Sequence, residues 1–294
     1  MKVLYVAVFD NEGISSDTSA AMAFSNNEMV TKVIGYDYRT REKVNNTTER
    51  DNELIEICRQ QKPDLVFFVK CNGIHVRVFD ECKKICPIAY WFADPLVTFL
   101  ADPEFAEKAE ASDYVFVDKE NVLSEIKKIN KNVFIVPDGY DRIMEVPIET
   151  KEEDKIDVTF IGYPYGERVE KINNIEHPVT IISDAYGFQH SHAVSKSRIN
   201  LNFCTSDGPS NRIYKVMASK GFLLTDDWIG REKHFEDGKH LVIFKNMEDL
   251  NDKIKYYLSN DEERNRIAAS GHAESPKYTR DVWAAKCLDI VNNT

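Results

Sequence analysis

The sequence predicts an α/β protein built from two doubly wound parallel sheets in tandem. Three observations carry this. Short, continuous apolar runs alternate with helix-length segments along nearly the whole chain. The alternation halts once, over residues 137–155, and then restarts. The 294 residues are enough for two domains of about 150 residues each. Apolar runs without polar interruption are the mark of strands buried on both faces, as in a parallel sheet covered by helices.

In the first half, KVLYVAVF (2–9) reads as a buried strand, followed by a loop with Gly13 and a helix from about Asp17 to Asn27. MVTKVIGYDY supplies the second strand. NELIEICRQQ is an amphipathic helix ending before Pro63, and DLVFFVK is the third strand. A helix over 76–84 leads to PIAYWF, the fourth. A helix over 98–110, the strand DYVFV, the helix NVLSEIKKI and the strand NVFIV complete this half. The stretch PDGYDRIMEVPIETKEEDK (137–155) has two prolines, a glycine and a charge run, and reads as a linker. Beyond it come KIDVTFIG, a helix near 166–175, HPVTIIS, a short helix near 189–195, RINLNF, a helix within SNRIYKVMASK, GFLLT and HLVIF. The end is helical: MEDLNDKIKYYL, DEERNRIAASG and a last helix from about Tyr278 to Asn292. The expected domains are 1–145 and 146–294, facing a cleft, with the last helix able to cross back to the first domain.

Composition narrows the function classes. The net charge is −11, which argues against a general nucleic-acid coat. Residues 1–150 hold 18 Lys and Arg against 26 Asp and Glu, whereas residues 151–294 hold 20 against 23. Within 196–220 the sign reverses: Lys196, Arg198, Arg212, Lys215 and Lys220 face only Asp207. A local basic pocket in an acidic chain suits a small anion. The first residues, MKVLYVAVFDNEG, read as a strand rather than a signal sequence, and no segment reaches membrane-spanning length. The six cysteines form no CxxC pair and read as reduced, packed thiols of a cytoplasmic protein. His190 and His192 have no third ligand nearby, so no metal site is expected. No G-x-G-x-x-G or P-loop glycine pattern occurs.

The stretch SNRIYKVMASKGFLLTDD (210–227) is the most informative. Ser210 and Asn211 offer cap oxygens to a helix on which Arg212 and Lys215 lie three apart, on one face. A helix N-terminus bearing two cations is a place to hold a phosphate or diphosphate. Asp94 follows the buried run IAYWF and precedes Pro95, which puts a carboxylate at the carboxyl end of a strand.

At these residues the chain resembles a family. DVTFIG, LNF, RIYKVMASKGFLLTD and GKHLVIFKNMEDLNDKIKYYLSNDEERNRIAASG are similar to the donor half of GT-B glycosyltransferases of the group 1, retaining type. AYWFADP (89–95) and VPDGYD (136–141) resemble elements of the CgeB-like and bacteriophage branch of that family. The resemblance implies transfer of a sugar from a nucleotide-diphosphate sugar of UDP type to an acceptor hydroxyl, without a metal or other cofactor. It implies donor contacts at Gly162, Arg168, Tyr186, Ser210, Asn211, Arg212 and Lys215, a catalytic Asp94, and donor or acceptor contacts from Gly13, Ile14 and Ser15. It further implies a hydroxymethylated pyrimidine in phage DNA as acceptor, glucose or arabinose as the sugar, and the host cytoplasm as the location. A cell-surface or spore polysaccharide, or a small molecule, are the rival acceptors. There is one departure. The family's E-x7-E has Asp207 and Lys215 at its matching positions, and a lysine cannot accept hydrogen bonds from a ribose. That departure leaves room for a non-catalytic nucleotide-sugar-binding protein. A sugar-nucleotide 2-epimerase on the same fold would need a set of carboxylates and a histidine that the sequence does not assemble.

Overall fold

The computed structural model describes residues 1–9, 15–44, 46–205 and 208–293. It divides into two compact units, the first comprising Met1–Asp138 with Arg280–Thr294, the second Gly139–Thr279. The break thus falls seven residues before the expected boundary at 145/146, and the chain crosses back after Thr279.

The first unit is a six-stranded sheet: β1 (Lys2–Ala7), β2 (Lys32–Asp37), β3 (Leu65–Val69), β4 (Ile88–Phe92), β5 (Tyr114–Val117) and β6 (Val133–Ile135). Their spatial order is β2-β1-β3-β4-β5-β6, every pair parallel. Strand order reverses between β1 and β3, so loops there diverge to opposite faces and leave a crevice at the carboxyl ends. Leu4, Val6, Phe68 and Tyr90 point into one core, while Tyr5, Phe67 and Trp91 point into the other. Both faces are covered, which is why these strands read as unbroken apolar runs. The helix Arg280–Asn293 covers the second of these faces. Its Trp283, 2% exposed, meets Phe24, Phe67 and Trp91 at ring-centroid distances of 5.6, 5.6 and 5.2 Å.

The second unit is a five-stranded parallel sheet: β7 (Ile156–Ile161), β8 (Thr180–Ile182), β9 (Ser197–Asn202), β10 (Leu223–Asp226) and β11 (Val242–Phe244), in the order β11-β10-β9-β7-β8. Its reversal lies between β7 and β9. Val158, Phe160, Leu201 and Leu224 build one core, and Ile161, Ile213, Met217 and Leu223 the other.

Three local expectations need correction. The helix expected over 98–110 is two, Leu96–Ala101 and Pro103–Ala111. Pro103 cannot donate a backbone hydrogen bond inside a helix, and Asp102 caps the second by accepting from Glu104 N–H. A helix over Tyr38–Val44 was not expected, because YRTREKV has no apolar stripe to announce it. The expected linker is a strap bound to the second unit. Val146 and Ile148 donate backbone N–H groups to Ser191 and Ser195 Oγ, and the Thr150 hydroxyl donates to Ser195 O.

Replacing Trp283 with Ala should cost the first unit about 3–5 kcal/mol, the usual range for emptying an aromatic site of this kind. Urea unfolding followed by the remaining tryptophans measures it, and a loss below about 1 kcal/mol would mean that the terminal helix adds little to this core.

Candidate active site

The site is built at the carboxyl edge of the second sheet, at the β7–β9 reversal, where open α/β sheets take their ligands. Two polar residues interrupt β9. Asn200 and Asn202 alternate with Ile199, Leu201 and Phe203, so both amides point to one face. There they lie in register with Thr159 of β7 and Thr225 of β10 respectively. Asn202 is fully buried. Its Nδ2 donates to Thr225 Oγ1 at 2.9 Å, and its Oδ1 accepts from Ser210 Oγ at 2.7 Å and from Arg212 Nη1 at 2.8 Å. A guanidinium can only donate, so this contact fixes which way the amide faces.

Arg212 lies on the helix Asn211–Ala218. Its Nε donates to Ile161 O at 2.6 Å, and its guanidinium covers the Phe160 ring at 4.4 Å. Gly162 has φ +130, and a Cβ there would stand 2.6 Å from Arg212 Nη2. The glycine therefore leaves the room that the arginine occupies. Burial, with Arg168 as a second cause, pushes the Arg212 guanidinium down to about 10, so it stays charged at neutral pH. Arg168 is held by Phe203 O (3.1 Å from Nε, 2.8 Å from Nη2) and Thr205 Oγ1 (2.8 Å), and it covers the Tyr165 ring at 4.8 Å. Neither guanidinium has a carboxylate partner among the described residues. Two like charges are thus held together by carbonyls, an amide and a hydroxyl.

Ser210 is the N-cap of its helix, but its hydroxyl is spent on Asn202 and makes no cap bond, contrary to the expected capping role. Asn211 Nδ2 donates to Gly139 O at 2.8 Å, which fastens the helix to the start of the strap. Lys215 pairs at 3.4 Å with Glu145 Oε1. Glu145 is buried, and its other oxygen accepts from Asp141 N–H at 2.6 Å. The cation standing at the family's second glutamate position is therefore matched by a carboxylate from the strap. Tyr186 is exposed beyond β8, as are Tyr163, Tyr165 and Phe188. The Tyr163 hydroxyl donates to Asp184, whose own φ is +56. His190, on the helix Phe188–Lys196, is buried, and burial with the Lys215 and Arg212 charges pushes it down to about 3. No group of His, Cys, Asp and Glu that could hold a metal occurs among the described residues.

In the first unit, Asp94 stands just beyond β4 and forms an ion pair with Lys70, just beyond β3. Pro95, not Asp94, is the N-cap of Leu96–Ala101. Ser15 caps the helix Ser16–Ser25, accepting from Thr18 N–H at 3.1 Å. Gly13 and Ile14 lie outside the described residues, as does Asp207. Sequence reasoning missed Asn202, Glu145 and Lys70. The alternation of asparagines in RINLNF was the available signal for the first; the other two left none.

Two all-parallel Rossmann-like units of six and five strands define the GT-B class of fold. Residues 145–289, just under half of the chain, match a family model described as "Glycosyl transferase-like". Among solved structures, the chain is similar to Anabaena HepE in complex with UDP-glucose, with a TM-score of 0.73, 10% identity and all of both chains covered. It is also similar to the lipopolysaccharide outer core galactosyltransferase WaaB (TM-score 0.66, 10% identity, 100% of this chain and 99% of that one). A third is the UDP-GlcNAc 2-epimerase from Neisseria meningitidis bound to UDP-GlcNAc (TM-score 0.61, 13% identity, all of both chains). Identities this low establish the shared fold. Among curated proteins, none matches the chain.

Two measurements probe this frame. Lys215→Met leaves Glu145 buried and unpaired and should destabilise the chain by roughly 3 kcal/mol, partly restored in Lys215→Met/Glu145→Gln; an unchanged urea midpoint would remove the ion pair from the frame. For His190 the unfolded state takes up a proton near pH 6.5 and the folded state only near 3. Between those values the unfolded state binds more protons, so stability is full above pH 6.5 and falls on acidification by up to about 1.4 kcal/mol per pH unit. His190→Gln should flatten that slope in denaturation series from pH 7 to 4; a slope unchanged by the substitution would mean the imidazole titrates normally.

Proposed function

We propose that the chain transfers a sugar from a UDP-sugar to an acceptor hydroxyl, with the donor's diphosphate bound by Arg212 and Arg168. The observation that supports this most is the pairing of those two guanidiniums, without a carboxylate between them among the described residues, at the β7–β9 reversal. Holding like charges together is unfavourable until an anion arrives, so the arrangement favours a ligand with at least two negative charges. In the reaction a bond forms between the acceptor oxygen and the anomeric carbon. The bond from that carbon to the β-phosphate oxygen breaks, its electron pair leaves with the diphosphate, and the acceptor gives up its hydroxyl proton. Negative charge grows on the leaving oxygen, and preformed guanidiniums stabilise it more in the transition state than in the bound donor.

Further roles follow on the same reading. Gly162 brings backbone close to the phosphates, and Ser210 and Asn211 hold the helix that carries Arg212. Lys215 keeps the strap against that helix through Glu145. The exposed Tyr186 offers a stacking surface for the base. HepE, solved with UDP-glucose, and WaaB, a galactosyltransferase by name, are consistent with a UDP-sugar donor. The group 1 resemblance supports retention at the anomeric carbon. In the first unit Asp94 serves the acceptor, for which a hydroxymethylated pyrimidine in DNA is the candidate that the phage-branch resemblance offers.

Calorimetry should detect UDP binding, and Arg212→Ala should weaken it about thirtyfold at a temperature where the variant stays folded, the equivalent of one charge-assisted hydrogen bond. Equal loss of folding and binding would make Arg212 a framework residue. Incubation with UDP-glucose, UDP-galactose or UDP-N-acetylglucosamine and a duplex containing 5-hydroxymethylcytosine should add a hexose to the nucleoside, read by mass spectrometry; release of UDP without that product would exclude this acceptor.

A further inference from the structure

The first unit contains a strained turn that the reading above does not use. β3 ends at Val69, and the next two residues, Lys70 and Cys71, both have φ +57, followed by Gly73 at φ +70. Left-handed backbone is unfavourable for a lysine and a cysteine, and consecutive cases persist only where their surroundings impose them. Here the surroundings do. Lys70 N–H donates to Trp91 O at 2.9 Å, and Tyr90 Oη to Lys70 O at 3.1 Å. Lys108, fully buried, donates to Cys71 O at 2.6 Å, and Arg50, also fully buried, donates to Gly73 O. Each of these cations is also paired with carboxylates, Lys108 with Glu104 and Arg50 with Glu42 and Asp51, so the grip on the turn is part of two ion-pair networks.

The outcome of that arrangement is the course of one side chain. From the carboxyl end of β3, beside the reversal between β1 and β3, Lys70 reaches Asp94 Oδ2. That oxygen is buried and accepts no hydrogen bond among the described residues, so its contact with Lys70 is an ion pair alone, while the Asp94 side chain as a whole is 25% exposed. Lys119 secures the same corner from β5 by donating to Ala93 O. Asp94 is therefore held through one oxygen, and its second remains for another partner. An ion pair this exposed contributes little to folding, less than two left-handed residues cost.

We infer that Lys70 is a positioning residue that fixes the Asp94 carboxylate so that its second oxygen receives the acceptor hydroxyl. This rests on the transferase reading. Lys70 acts through Asp94 and touches neither substrate.

The test uses the full chain and UDP-glucose hydrolysis, with water as acceptor, or whichever UDP-sugar of the panel above is turned over. Lys70→Met should lower kcat about tenfold or more with KM for the donor within about twofold, and Lys70→Arg should recover most of the loss. Asp94→Asn should lose activity similarly, and adding Lys70→Met to it should cost nothing further, because the two act as one unit. Lys70→Gly, which suits left-handed backbone, should melt no lower than the unsubstituted chain yet lose kcat as Lys70→Met does. Full activity of Lys70→Met, or losses that multiply in the double variant, would overturn the inference while leaving the transferase reading intact. Absence of turnover in the unsubstituted chain with every donor would overturn both.

Discussion

The side-chain amide of Asn202 is the interaction on which the candidate site rests. Fully buried at the end of β9, it ties β10 through Thr225, the N-cap of the following helix through Ser210, and the guanidinium through Arg212. Each of these partners is itself a polar group in a poorly hydrated place. Without the amide, each would lose a hydrogen bond, although Thr225 would keep Asp226 O and Arg212 would keep Ile161 O. The strand thus fixes both the start of the helix and the arginine it carries. A network of this kind does not hold together by halves, and its benefit is a cation that keeps one orientation before any ligand arrives.

Charge is managed by burial and by matching. Arg212 and Arg168 are neutralised by no carboxylate among the described residues, whereas Lys215, one turn further along, is matched by the buried Glu145. The same short helix therefore carries one cation held by a carbonyl and an amide and one committed to the chain's own strap. His190 lies in the field of both and responds by remaining neutral. Close packing of three basic groups works because only two of them are charged.

Much of the fold was legible because parallel strands buried on both faces leave unbroken apolar runs, as VLYVAVF and IAYWF do. The split at Asp102-Pro103 was missed because apolar periodicity ran across it, although the proline itself was a boundary signal. In the site, Arg212 and Gly162 could be found from residue type and position, since a glycine after a strand and a cation at a helix start have known uses. Lys70 could not, because a lysine forced into left-handed backbone looks like any other lysine until the groups that force it are in place. Glu145 was hidden differently. It lies in a stretch whose prolines and charges resemble a linker, and only its pairing with Lys215 makes it part of the framework.

Gly162 and Arg212 carry a consequence for how the chain can vary. A single methyl group at position 162 would fall within 2.6 Å of the guanidinium, at a backbone angle that side chains rarely adopt. The empty space beside the glycine is thus a mould of the arginine's shape. Far apart in sequence, the two positions are linked in one direction: while the arginine stands there, the glycine cannot gain a side chain.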